Sequence, residues 1–135
     1  MSEENVEIVR RVYEAAARRD TATVLALYDP EVEWDSSRVA WGDRTQRICH
    51  GLEDLQAFLR DWYEVWEEYE DDLKEVVDTG EHVVSVATGR GRGRVSGVEV
   101  GAQGAGLWTI REGKVIRVVW FRTREEALEA AGLSE

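Results

Sequence analysis

An α+β fold, with a curved antiparallel sheet wrapped around three N-terminal helices and a short helix closing the chain, follows from three features of the sequence. Apolar residues recur at spacings of three and four over the first half. From Tyr69 onward the period drops towards two, β-branched residues become frequent, and glycine-bearing turns separate the alternating stretches. Near the end, Thr123 is followed three residues later by Glu126, the pattern of a capping box at the start of a last helix. A helix layer laid against one face of such a sheet buries the apolar side of both.

The first helix rests on Val6, Val9, Val12, Tyr13, Ala16 and Ala17, with Ser2 as a candidate cap and Glu3 and Glu4 well placed in its first turn; it should run to about Arg19. Asp20 caps a second, shorter helix that uses Val24, Leu25, Leu27 and Tyr28. This helix must stop near Asp29-Pro30, because the residue before proline disfavours helical geometry, so Pro30 reads as a turn residue. A short strand follows, Val32 to Asp35. The polar stretch from Ser36 to Arg47 reads as a loop, with room for a short strand near Gln46 to Cys49. A third helix opens at Gly51 and presents Leu52, Leu55, Phe58, Leu59, Trp62 and Trp66 on one stripe. Strands are then expected at Tyr69 to Val77, His82 to Arg94, Val98 to Ile110 and Lys114 to Arg122. Gly80, Gly97 and Gly113 sit in the reversals between them, which makes the four a meander. The closing helix carries Ala127, Leu128 and Ala131 and ends at Gly132.

The 135 residues allow one domain, 1–135, with one core. A 43% apolar fraction with six Trp is too high for a disordered chain, and no apolar run is long enough to span a membrane. The net charge of -11 argues against nucleic acid and anionic lipid surfaces as partners. That charge is unevenly spread: residues 1–82 carry net -13 and residues 83–135 net +2. The N-terminus lacks the apolar core of a secretory signal, which makes the cytoplasm the expected location. Cys49 is the lone cysteine and His50 and His82 the only imidazoles, without metal-ligand spacing, so neither a metal nor another cofactor is expected.

Several stretches carry a family resemblance: Val9-Arg10-Arg11-Val12-Tyr13 with Arg19-Asp20, Leu27-Tyr28-Asp29-Pro30-Glu31-Val32-Glu33-Trp34, His50-Gly51-Leu52-Glu53-Asp54-Leu55, Trp108-Thr109-Ile110-Arg111-Glu112-Gly113-Lys114-Val115, and Glu126-Ala127-Leu128-Glu129-Ala130. Together they resemble the SnoaL-like and ketosteroid-isomerase-like branch of the nuclear-transport-factor-2-like superfamily. The resemblance implies a cone-shaped fold whose open end holds a mostly apolar pocket. In that family the pocket serves isomerisation, aldol cyclisation, hydration and dehydration, epoxide hydrolysis, or plain ligand binding. Its ketosteroid isomerases have a general-base Asp near the first strand, a Tyr donor on the first helix and a protonated Asp on a late strand. Asp35 falls at or within one position of the base and Tyr13 within one position of the Tyr. Opposite the late Asp this chain reads Gln103-Gly104-Ala105-Gly106-Leu107-Trp108, with no acid. Losing one oxyanion donor costs about 10²- to 10³-fold in rate, so steroid isomerisation is not expected.

The candidate catalytic residues are therefore Asp35, Tyr13 and His50. Asp35 needs burial beside the pocket to act as a base. Strict alternation instead pairs it with Glu33 on the face opposite Val32 and Trp34, and only a bulge or bend would turn it inward. Tyr13 lies on the apolar stripe of its helix, as a core residue or a donor. His50 titrates near neutrality but also suits a turn or cap. Trp34, Phe58, Trp62, Trp66, Trp108 and Trp120, with Gln103 as a polar contact, are the candidate ligand-binding residues; so many indoles exceed what a small core needs, and some should line a pocket for a flat ligand. Arg90, Arg92 and Arg94 share one strand face and are expected to pair with the acidic segment Asp61 to Asp72.

The expected function is a SnoaL-like pocket protein for a small apolar molecule, acting as a cofactor-free isomerase, cyclase or hydrolase by acid–base chemistry. The alternative is a non-catalytic ligand-binding or dimerisation module of the same fold. A homodimer through the outer sheet face is expected from the last strand, where Val115, Val119 and Phe121 alternate with Ile116, Val118 and Trp120 and leave both faces apolar.

Overall fold

The last hairpin fixes the direction of the sheet. Arg111 and Lys114 face each other across Glu112-Gly113, whose φ values are both positive (53° and 78°), the left-handed pair that matches the twist of flanking strands. In the computed structural model, which describes residues 2–39 and 47–132 without the side chain of Ser2, the elements run α1 (Ser2–Ala17), α2 (Thr21–Ala26), β1 (Tyr28–Asp35), β2 (Ile48–His50), α3 (Gly51–Val65), β3 (Trp66–Asp78), β4 (Val83–Gly93), β5 (Glu99–Arg111), β6 (Lys114–Phe121) and α4 (Arg124–Ala130). The six strands form one sheet in the order β2-β1-β6-β5-β4-β3. It is curved and does not close on itself. β3 to β6 are the expected antiparallel meander. β1 departs from the all-antiparallel expectation, running parallel to β6, with β2 antiparallel on its far side. The parallel ladder is possible because α3 and four strands intervene as a long crossover.

Local differences from the sequence reading have identifiable causes. α2 stops at Ala26, and Tyr28 opens β1 instead of ending the helix, because Val115 N–H donates to Leu27 O (3.0 Å) and draws the chain onto β6. Pro30 lies within β1, not in a turn. The register of β1 on β6 shifts between Tyr28 and Glu33, so the missing N–H of Pro30 falls where the ladder is already irregular. Trp66 is not the last residue of the α3 stripe but the first of β3, with extended backbone (φ -107°, ψ 133°). Arg94 holds it there: its backbone N–H donates to Val65 O (2.9 Å) and its guanidinium to Glu64 O (3.2 Å) and Trp66 O (2.9 Å). α1 begins at Ser2 itself, whose capping role falls outside the described side chains. Of the expected 36–47 loop, residues 40–46 lie outside the described residues, and the short strand expected nearby is β2.

The two faces of the sheet bury separate clusters. On the concave face, Val9, Val12, Val32, Trp34, Leu55, Phe58, Trp108, Val115 and Val118 pack with α1, α2 and α3. On the convex face, α4 lays Ala127 and Leu128 over Val84, Val86, Ala105 and Leu107, with Phe121 at the side. α4 is set by the capping box: Thr123 Oγ1 accepts from Glu126 N–H, and the Glu126 carboxylate accepts from Thr123 N–H. Arg124 adds an ion pair to Glu75 on β3 (2.8 Å). The simple alternation expected for β6 fails, since one residue is inserted between the pairs Ile110–Val115 and Thr109–Arg117. This bulge brings Val115 onto the same face as Val118 and Trp120. Much of the second apolar face is thus covered by α4 within the chain. No described helix is long and apolar enough to cross a membrane.

Candidate functional site

Between the helices and the concave face lies a cavity of about 370 Å³, within the range of small-molecule sites. Its walls follow from helical spacing on one side and strand alternation on the other. α1 contributes Val12, Tyr13 and Ala16, and α3 contributes Leu55, Phe58, Leu59, Trp62 and Tyr63; the sheet supplies Trp34, Trp66, Tyr69, Asp71, Trp108 and Trp120. The aromatic rings form a continuous lining. Trp34 tilts on Phe58 (4.7 Å between centroids), Phe58 stacks on Trp62 (6.3 Å), and Trp62 meets Trp66 (5.5 Å) and Tyr69 (5.3 Å) edge-on. Trp120 bridges Trp34 (5.7 Å) and Trp108 (5.7 Å).

The β3 wall lies flat because β4 has no side chains beneath it. Tyr69 is opposite Gly91 and Asp71 opposite Gly89. A Cβ at Gly91 would come within 2.5 Å of the Trp66 ring and 2.9 Å of Tyr69, and one at Gly89 within 2.5 Å of Tyr69 Oη and 3.0 Å of Asp71 Oδ1. Glycine here makes room for side chains from the neighbouring strand.

Two polar arrangements interrupt the apolar lining. In the first, Ser85 is fully buried and its Oγ accepts from Trp108 Nε1 (2.8 Å). Its other partner is Tyr13 Oη at 2.9 Å. An indole N–H only donates, while the Ser85 and Tyr13 hydroxyls can each donate to or accept from the other; where Ser85 donates, the Tyr13 O–H is free to donate to a molecule in the cavity. Burial pushes the Tyr13 pKa well above the usual phenol range, with Ser85 partly opposing the rise. In the second arrangement Tyr69 Oη donates to Asp71 Oδ1 (2.9 Å). Asp71 borders the cavity and is exposed to solvent. Desolvation raises its pKa, and the Tyr69 hydrogen bond opposes that only in part. Among the described residues no three His, Cys, Asp or Glu side chains form a metal-binding group.

Tyr13, Trp34, Phe58, Trp62, Trp66, Trp108 and Trp120 come together around this cavity; Asp35, His50 and Gln103 do not line it. Asp35 is buried (4% exposed), but its Oδ1 is taken by the Ser37 N–H (2.9 Å) and the Ser37 hydroxyl (2.6 Å), a turn that holds the end of β1. No bulge turns it inward: Trp34, its neighbour, takes the cavity face. His50 is exposed on β2 and precedes α3, its backbone N–H donating to Asp54 (3.0 Å), which also pairs with Arg47. Gln103 alternates away from Ala102 and Gly104, which do line the cavity. Arg90 is the register partner of Glu70 on the β3–β4 ladder, whereas Arg92 pairs with Glu99 (3.9 Å) and Arg94 with backbone carbonyls. Sequence reasoning missed Asp71, Tyr69 and Ser85. The alternate glycines of β4 were the available signal, since a strand face without side chains invites its neighbour's side chains to lie over it.

A family model of the SnoaL-like domain matches residues 9–118. No curated protein matches the sequence significantly. Among solved structures, a nuclear-transport-factor-2-like protein of unknown function from Burkholderia pseudomallei is 26% identical, with a TM-score of 0.78 over 93% of this chain and 95% of that one. TerC, co-crystallised with polyporic acid, is 21% identical (TM-score 0.77, 96% of this chain and 99% of that one). A protein from Jannaschia sp. CCS1, provisionally named a SnoaL-like polyketide cyclase, is 22% identical (TM-score 0.74, 96% and 92%). With the match spanning most of the chain and the curved sheet enclosing a cavity under three helices, this chain belongs to the SnoaL-like domain family.

Proposed function

We propose that this is a small-molecule pocket protein that takes up a flat, mostly apolar cyclic molecule and acts on it without a cofactor, by acid–base chemistry of the isomerase, cyclase or hydrolase kind. The observation that carries this reading is the aromatic cavity of about 370 Å³ lined in part by Tyr13, whose hydroxyl is hydrogen-bonded to the fully buried Ser85. Aromatic walls favour a flat ring by dispersion and edge-to-face contact. The raised pKa keeps Tyr13 protonated, a donor to a carbonyl or developing oxyanion rather than a base. The polyporic acid in TerC and the provisional name of the Jannaschia protein support this ligand class.

A second reading, a binding module without catalysis, is favoured by one observation: neither Asp35 nor the acid-free Gln103–Leu107 stretch places a carboxyl where the resemblance implies one. Titration with 2-naphthol, followed by tryptophan fluorescence, tests what the two readings share. Saturable quenching, weakened by Tyr13→Phe, is expected, and absence of quenching would remove both. A self-associated form through the outer sheet face remains part of the proposal, although α4 leaves that face less to bury than the β6 pattern implied.

A further inference from the structure

We infer that the molecule this cavity takes carries a protonated amine on its flat ring system, with the ammonium group seated at the Asp71 carboxylate and against the rings of Trp66 and Tyr69. The inference rests on the pocket reading above and adds to it the charge of the ligand.

The lining has a sign. Glu70 and Asp71 are the charged residues that border the cavity, and among the described residues no Lys, Arg or His does so. The register partner of Glu70 on β4 is Arg90, whereas that of Asp71 is Gly89, which has no side chain to offer. No cationic side chain of the described residues lies within ion-pair distance of Asp71. Its single hydrogen-bond donor is Tyr69 Oη, at 2.9 Å from Oδ1. A Cβ at Gly89 would stand 2.5 Å from that hydroxyl and 3.0 Å from that carboxylate oxygen, so both polar atoms lie over a glycine that itself borders the cavity. The Tyr69 ring in turn lies 5.4 Å from the Trp66 ring and 5.3 Å from that of Trp62. Tyr69 therefore ties the carboxylate to the aromatic end of the lining.

Aromatic faces are the negative side of the ring quadrupole and attract cations. The chain already uses this on the same wall: the Arg19 guanidinium stands 4.2 Å over the ring of Tyr63, a lining residue of α3, while Arg19 itself does not border the cavity. An exposed carboxylate gains little from a cation alone, and a partly exposed ring gains little more. One ammonium group at Asp71 makes both contacts, with an N–H on the carboxylate and its remaining charge against the rings. A neutral ligand makes neither contact, and an anionic one brings a like charge to Asp71. The net charge of -11 draws cations to the whole surface, so the decisive comparison is between neighbouring acids.

The probes share one ring system: 2-naphthylmethylamine, 2-naphthylmethanol and 2-naphthoate, titrated by calorimetry at neutral pH, where the amine is protonated. Wild-type protein should bind the amine about tenfold more tightly than the alcohol, and the carboxylate more weakly than either. The amine should also displace 2-naphthol. Asp71→Asn should lower the amine-to-alcohol ratio to the roughly twofold that the rings supply. Asp72→Asn removes the same charge one residue along, from a side chain paired with Lys74 (2.5 Å) that does not border the cavity, and should keep the ratio. An amine bound no better than the alcohol, an amine that leaves 2-naphthol in place, or a ratio that survives Asp71→Asn or falls equally in Asp72→Asn overturns the inference and leaves the pocket reading standing. Failure of the wild type to bind the amine, the alcohol and 2-naphthol overturns both.

Discussion

Asp35 and Asp71 sit towards opposite sides of the same sheet, one on β1 and one on the edge strand β3, and they differ in what their carboxylates hold. Asp35 is buried, and the backbone and hydroxyl of Ser37 occupy it. It is spent on closing the end of a strand. Asp71 stands over a glycine, has one donor from Tyr69, and opens onto an aromatic cavity. A carboxylate with one oxygen held by its own turn and no place in the cavity lining serves the end of a strand, whatever its position in a family pattern. One held at a cavity mouth with spare acceptor capacity is available for chemistry.

The largest expected effect removes what both regions lean on. Trp108 is 1% exposed, stacks on Tyr28 and meets Tyr13 and Trp120, and Trp108→Ala should cost about 3–5 kcal/mol in urea unfolding. Next, Gly91→Ala sharpens the β3 side. Its methyl would overlap the Trp66 ring, and the overpacking should cost about 1–3 kcal/mol and reduce 2-naphthol quenching. Gly101→Ala, which meets nothing closer than 3.6 Å, should stay within about 0.5 kcal/mol of wild type. On the β1 side, Asp35→Ala removes two hydrogen bonds to Ser37 and should cost about 1–3 kcal/mol, while the folded fraction binds 2-naphthol normally.

The smallest effect has the opposite sign. Burial raises the Asp71 pKa, so the folded chain holds this proton to a higher pH than the unfolded chain does. Between the unfolded value of about 3.9 and the raised folded value, the folded state binds more protons, and stability falls as pH rises through that interval. Asp71→Asn removes this loss. Its unfolding free energy should gain on that of wild type as pH rises through the interval, with no such gain below it; a variant that loses ground there would contradict the placement of Asp71.

The fold was largely legible because its signals are local. Glu112-Gly113 and the Thr123–Glu126 box announce themselves in a few residues, and the stripes of α1 and α3 need only one helical period. The site was half legible. Aromatic residues at helical and strand spacing pointed to a lining, but the carboxylate expected beside it was Asp35 on β1, whereas Asp71 on β3 borders the cavity. The obstacle is a bulge. Counting back from the Asp78–Val83 pair with unbroken alternation sets Asp72 opposite Gly89, but the register slips between Leu73 and Glu75 and brings Asp71 there instead. A slip of one residue exchanges the two faces of a strand. Asp71 also stands in the acidic run from Asp61 to Asp72, which reads as a solvated surface until the glycines of β4 are placed opposite it. A bulge in β6 likewise hid the face that Val115 takes.

The central claim is that the ligand site is the concave aromatic cavity with its polar ends at Tyr13 and Asp71. Titration of ¹⁵N-labelled protein with 2-naphthol, reading the indole N–H and backbone amide signals, tests it most directly. The expected result is saturable shifts of the Trp62, Trp66 and Trp108 indoles and the Asp71 amide, with Asp35, Ala127 and Leu128 unmoved. Shifts confined to α4 and the convex face, or centred on Asp35, would contradict it.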